Sequence, residues 1–105
     1  MAGKEGGRVK IIARFNLEFG FRTIQERKIE IQVPAESEIV ACRVEQAGPV
    51  DEVVALYVVM ETTGEMIPRK FRLVIGSEAL PESFKRYVAT FKFRNGIEAC
   101  HIVEV

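Results

Sequence analysis

The chain has 105 residues and a mass of 11.8 kDa, with 48% hydrophobic and 29% charged residues, enough to bury one core and too short for two. Fifteen Lys and Arg balance fifteen Asp and Glu, which excludes a disordered polyelectrolyte and a globally basic nucleic-acid binder. No apolar run reaches the roughly 18 residues a membrane helix needs. The glycine-rich residues 1–7 lack the apolar segment of a signal peptide, so a cytoplasmic protein is expected, with a flexible tail ahead of one β domain over 8–105.

Residues 9–21 carry apolar side chains at every odd position, and the even positions from 8 to 22 are mostly polar, Arg14 and Arg22 among them. A period of two marks a half-buried strand, because successive side chains point to opposite faces; a bend is expected near Asn16 or Gly20. The alternation resumes at Ile29, Ile31 and Val33, and Pro34 breaks it. Residues 38–46 are apolar on both faces, which predicts a central strand covered on both sides. Residues 53–60 form a β-branched run too short for an amphipathic helix, placed at the centre of a sheet. Residues 69–75 alternate Phe71, Leu73 and Ile75 against Lys70 and Arg72, and Gly76-Ser77 ends them.

Residues 78–85 have room for one helical turn with Pro81 at its first position, and nothing else reads as helical. Asn95-Gly96 then separates two alternating segments, 87–94 and 97–105, which calls for a two-residue type I′ hairpin. With Arg94 facing Ile97, Phe91 falls opposite Cys100 and Thr90 opposite His101. One hairpin face holds Tyr87, Ala89, Phe91, Phe93, Cys100 and Ile102. The other holds Thr90, Lys92, Arg94, His101 and Val103. Six or seven closely spaced strands predict an all-β antiparallel sandwich or barrel ending in this Asn-Gly hairpin.

Chemistry is sparse. One histidine, one aspartate and three serines, with no nucleophile-elbow pattern, argue against a catalytic triad. Cys100 and His101 point to opposite faces of a strand and cannot form a thiolate–imidazole pair. Cys42 and Cys100 are expected as buried thiols without a disulfide. No metal-ligand spacing or phosphate-binding glycine loop appears, so no enzyme, metal or cofactor is expected. The charge, however, is segregated: residues 1–28 and 69–94 are net basic and 29–68 net acidic. Lys92, Arg94 and His101 share one hairpin face, and Arg14, Arg22, Lys70 and Arg72 line strands that could neighbour it. This predicts a site for a small anion, with Tyr87 or Tyr57 available to stack on a base. Single-stranded nucleic acid fits less well, because the rings of Phe91 and Phe93 and the cations beside them face opposite sides of a strand.

From Arg14 to Val105 the string resembles a family of small, mostly uncharacterised proteins of tailed bacteriophages. The resemblance is carried by Ile29-Glu30-Ile31-Gln32-Val33-Pro34, the Glu38-Ile39 strand start, the apolar run at 54–58, Ile75-Gly76, Tyr87-Val88-Ala89-Thr90-Phe91, and the closing strand with His101 and Glu104. The chain departs from the family's pattern in having no tryptophan and in reading Gly76-Ser77-Glu78-Ala79 at the turn after the fifth strand. The resemblance implies a small phage protein expressed in a bacterial cytoplasm, with no established enzymatic activity. One form it could take is a homo-oligomeric sponge that sequesters a nucleotide-derived immune signal; the alternative is a protein-interaction or virion-associated β module.

Overall fold

Seven strands form two antiparallel sheets in a computed structural model, which describes residues 9–20, 23–49, 51–93, 96 and 98–105. They are β1 (Lys10–Leu17), β2 (Lys28–Pro34), β3 (Ser37–Gln46), β4 (Glu52–Glu61), β5 (Met66–Ile75), β6 (Arg86–Phe91) and β7 (Cys100–Glu104). The first sheet has the order β1-β4-β3 and the second β2-β5-β7-β6. Both sheets are open, so the all-β fold is a sandwich and not a closed barrel.

Alternation builds the core. Leu17, Val54, Leu56 and Val58 from the first sheet meet Phe71, Leu73, Cys100 and Ile102 from the second. Leu56, Phe71, Leu73 and Ile102 are fully buried, each contributing about 1.5–3 kcal/mol by leaving water. The run at 53–60 lies at the centre of its sheet, as its β-branched composition predicts. The strand at 38–46 does not: among the described residues β3 is an edge, paired only with β4, and Val40 stands 49% exposed at a register shift between Ile39 and Ala41. Its apolar outward residues misled the pattern because a bulge, and not a second covering layer, accommodates them.

The first strand ends at Leu17, and Phe21 and Arg22 lie outside the described residues, as does the expected tail at 1–7. A three-residue 3₁₀ turn, Gln25–Arg27, which the sequence did not signal, leads into β2; the Glu26 N–H donates to Thr23 Oγ1 at 3.2 Å. No helical turn forms at 78–85 beyond one bond from the Phe84 N–H to the Pro81 carbonyl at 3.0 Å.

The β6–β7 register is the one the Asn-Gly signal predicts, with Thr90 opposite His101 and Phe91 opposite Cys100. Arg94, Asn95 and Ile97 lie outside the described residues, but the ladder stops short of the expected 94 and 97, at Phe91 and Cys100, and the Gly96 N–H donates to the Phe93 carbonyl at 2.9 Å. Between Tyr87 and Ala89 the register shifts, so Tyr87 leaves the core face expected for it and stands 57% exposed.

β5 and β6 both run antiparallel to β7 and lie on either side of it. The connection 76–85 must therefore cross β7, and it does so on the outer face, since the inner face is packed against the first sheet. Val74 and Val103, whose side chains point away from the core-facing Leu73 and Ile102, are 2% and 1% exposed. No helix among the described residues is long and apolar enough to cross a membrane.

Candidate functional site

The site arises from unequal strand lengths. β5 has ten residues and β7 five, and their pairing begins only at Phe71. The Val105 N–H donates to the Lys70 carbonyl at 2.9 Å, so Lys70 turns its backbone groups toward β7. Pro68, two residues earlier, turns the same way, into the flank where β7 has ended; a residue without an N–H loses no ladder bond there. Beside this flank lies a cleft of about 800 Å³, with Ile29, Pro68 and Phe71 among its lining residues.

Four cations converge on it. Lys28 and Arg72 face each other across β2 and β5, Lys70 stands two residues along from Arg72 on the same face, and Lys85 arrives from the end of the crossing segment. Among the described residues no ion pair neutralises any of the four, and the buried Nε of Arg72 has no hydrogen-bond partner. Glu30, opposite Lys70, accepts instead from Gln32 Nε2 at 3.1 Å. A fifth cation in the wall, Arg69, is already spent on Glu104 through bonds of 2.6 and 2.8 Å. That guanidinium, by hydrogen bond and charge, holds the Glu104 carboxyl below the usual carboxylate range despite its burial. The cleft is therefore rich in positive charge, with Lys28, Lys70, Arg72 and Lys85 beside the carboxylate of Glu30.

Of the residues singled out from sequence, Lys70 and Arg72 line this cleft. Lys92 is exposed just beyond β6 and Tyr87 lies on β6; neither is part of the lining. Arg14 is on the opposite sheet, where its Nη2 meets Glu45 Oε1 at 3.1 Å. The same carboxylate accepts from the Tyr57 hydroxyl at 2.6 Å and from Arg43 Nε at 3.1 Å, while Arg43 lies over the Tyr57 ring at 5.3 Å. This network ties β1, β4 and β3 together and takes Tyr57 away from the second sheet. Arg22 and Arg94 fall outside the described residues. Lys28, which the period-two parity of 28–33 places outward, and Lys85 were not among the ligand residues expected from sequence, and only the crossing brings Lys85 near.

His101 is committed to structure. Its Nε2 lies 3.0 Å from the Gly76 carbonyl, which can only accept, so the proton sits on Nε2. Nδ1 lies 2.9 Å from Thr90 Oγ1, which accepts from the Tyr87 hydroxyl at 2.8 Å. An imidazole with both nitrogens engaged pins the start of the crossing segment. At that start Glu78 accepts from the Ile75 N–H at 3.0 Å and from Arg27 Nη1 at 2.9 and 3.0 Å. The backbone bond first, and then Arg27, hold the Glu78 carboxyl low.

Both cysteines are free thiols: burial pushes Cys42 up to about 11 and raises Cys100 as well. Cys100 faces the core and His101 the outside, as the strand geometry requires. Among the described residues no three His, Cys, Asp or Glu side chains are grouped to hold a metal ion. What the arrangement can do is hold an anion by charge-assisted hydrogen bonds from a guanidinium and three ammonium groups.

In comparisons with known proteins, residues 9–105 match the model of a domain of unknown function, DUF7352. No curated protein and no solved structure matches.

Proposed function

We propose, for a chain that belongs to the DUF7352 domain family, that the protein binds a small phosphate-bearing anion in the cleft of the second sheet and releases it unchanged. The observation that carries this reading is the convergence of Lys28, Lys70, Arg72 and Lys85, none of them in an ion pair, on one cleft of about 800 Å³. That volume is within the roughly 300–1,000 Å³ of small-molecule sites and suits a ligand of nucleotide size. Phosphate oxygens match the donors, since a guanidinium binds them bidentately and ammonium groups add point charge. Retention without conversion is the reading favoured by the chain's few reactive groups, since neither His101, whose two nitrogens are engaged, nor either thiol lines the cleft. The fuller form of the reading is a phage-encoded sponge in a bacterial cytoplasm that withdraws a nucleotide-derived immune signal.

The test has two parts. Purified protein is incubated with extracts of phage-challenged bacteria, heated, and its released small molecules identified by mass spectrometry; in parallel, binding of ATP is followed by calorimetry. An intact phosphate-bearing compound is the expected release. The double variant Lys70→Glu/Arg72→Glu should bind about a hundredfold more weakly, from charged hydrogen bonds worth roughly 1.5–3 kcal/mol each, with its urea midpoint little changed. A chemically altered product would overturn retention without conversion. Unweakened binding by the double variant would overturn the site. Protein that emerges empty from every extract and gives no heat with ATP would overturn the function.

A further inference from the structure

The outer edge of the first sheet has a geometry of its own. Among the described residues β1 pairs only with β4. The Thr62 N–H donates to the Val9 carbonyl at 3.0 Å, so Val9 turns its backbone groups toward β4, and with it Ile11, Ala13, Phe15 and Leu17. Backbone groups alternate sides along a strand, and those of Lys10, Ile12, Arg14 and Asn16 therefore point away from the sheet. They form an unpaired edge. Natural edges are blunted by proline, by a bulge, by brevity or by charges, of which β1 carries only Lys10 and Arg14. β1 is eight residues long, has no proline and keeps an unbroken register with β4. Its apolar side chains are bare on both faces, with Val9 52%, Ile11 40% and Ile12 66% exposed.

The strand is also complementary to its own reverse. A second β1 laid antiparallel along the edge, about a two-fold axis perpendicular to the sheet, keeps the core-side residues on one face only when odd residues meet odd. Centred on Ile12, this pairing sets Lys10 against Arg14; centred on Arg14, it sets that guanidinium against its copy. Both place like charges opposite. Centred on Ala13, Lys10 meets Asn16, Ile12 meets Arg14, Ile11 meets Phe15 and Val9 meets Leu17. Only in this last register does each of the four outward-turned residues find another to exchange two hydrogen bonds with, completing the ladder along the whole strand.

We propose that two copies of the chain associate through β1 in this Ala13-centred register, joining two three-stranded sheets into one continuous sheet ordered β3-β4-β1-β1-β4-β3. The paired edge belongs to the first sheet and the cationic cleft to the second, and no residue of β1 lines the cleft.

The register fixes the test. Ala13 faces its own copy in a non-hydrogen-bonded pair, with Cα atoms about 4.5 Å apart, inside the roughly 4.4–6.8 Å that a disulfide spans. Asn16 and its copy would be about 20 Å apart, at about 3.4 Å per residue. Under mild oxidation Ala13→Cys should become a covalent dimer, while Asn16→Cys and the native chain, with its two sheltered thiols, should not. Sedimentation of the native protein at tens of micromolar should give twice the 11.8 kDa chain mass. Ile12→Lys, at an exposed position opposite Arg14, should raise the dissociation constant at least tenfold. A native single-chain mass would overturn the proposal, as would cross-linking at Asn16→Cys without cross-linking at Ala13→Cys.

Discussion

Replacing Arg69 with methionine should destabilise the protein by about 3 kcal/mol at pH 7. Arg69 and Glu104 are 12% and 11% exposed and share two bonds, of 2.6 and 2.8 Å. Arg69 Nη1 also reaches Ser37 Oγ and the Ser37 carbonyl, each at 3.4 Å, which links β5 to β3 of the other sheet. Removing one partner of a buried pair strands the other charge, at a cost of about 3–5 kcal/mol, and the residual exposure places this pair at the low end. In a domain stable by about 5–15 kcal/mol that is a large share. The pH dependence follows from the depressed Glu104 carboxyl. A folded-state pKa below the unfolded value of about 4.3 contributes stability that is complete above that value and disappears as pH falls through the folded one. The native protein should therefore lose stability below about pH 4, whereas the Arg69→Met deficit should narrow there as the stranded Glu104 protonates. Urea unfolding at pH 7 and in acid, with the slope compared between variants, measures both. The double variant Arg69→Met/Glu104→Leu should recover to within about 1 kcal/mol of native, because apolar packing can replace a buried pair. An Arg69→Met cost below about 1 kcal/mol, or a double variant no more stable than the single, would refute the reasoning.

Gly76→Ala should cost about 1–2 kcal/mol in the same assay, since Gly76 has φ +58 and a Cβ there would lie 3.2 Å from the Glu98 carboxylate; an unchanged midpoint would contradict it. With Cys42 pushed up to about 11, roughly one thiol in a thousand is ionised at pH 8. Iodoacetamide should therefore label it slowly in the native protein and rapidly in urea, as mass spectrometry would register. Binding of a phosphate-bearing ligand at the cleft should weaken steeply between about 50 and 500 mM salt, because the exposed lysines there are screened; affinity independent of salt would argue for apolar recognition.

Local alternation made most of the fold legible. Period two placed Phe71 and Leu73 inward and Lys70 and Arg72 outward, and Asn95-Gly96 set the pairing of Thr90 with His101. What alternation cannot carry is which sheet a strand joins. β1 and β2 share one parity, yet they enter different sheets, and this separates Arg14 from Lys70 and Arg72. Bulges are equally silent: the shift at Tyr87 reverses a face that strict alternation assigns to the core. Two of the cleft's four cations outside ion pairs were therefore named from sequence, Lys70 and Arg72, because they stand on one regular strand. Lys85 was not, because a long-range crossing delivers it.

The position of β7 between β5 and β6 has a kinetic consequence. β5 and β6 are both synthesised before the strand that joins them, so the second sheet remains two separate fragments until β7 has emerged. β6 and β7 are neighbours in sequence and can zip locally, but β2 must wait for β5, and β5 for β7, across long stretches of chain. Contacts of such high sequence separation slow folding. Until they close, the apolar faces of Phe71 and Leu73 stay uncovered, and this interval is when the chain is most exposed to aggregation and to proteases.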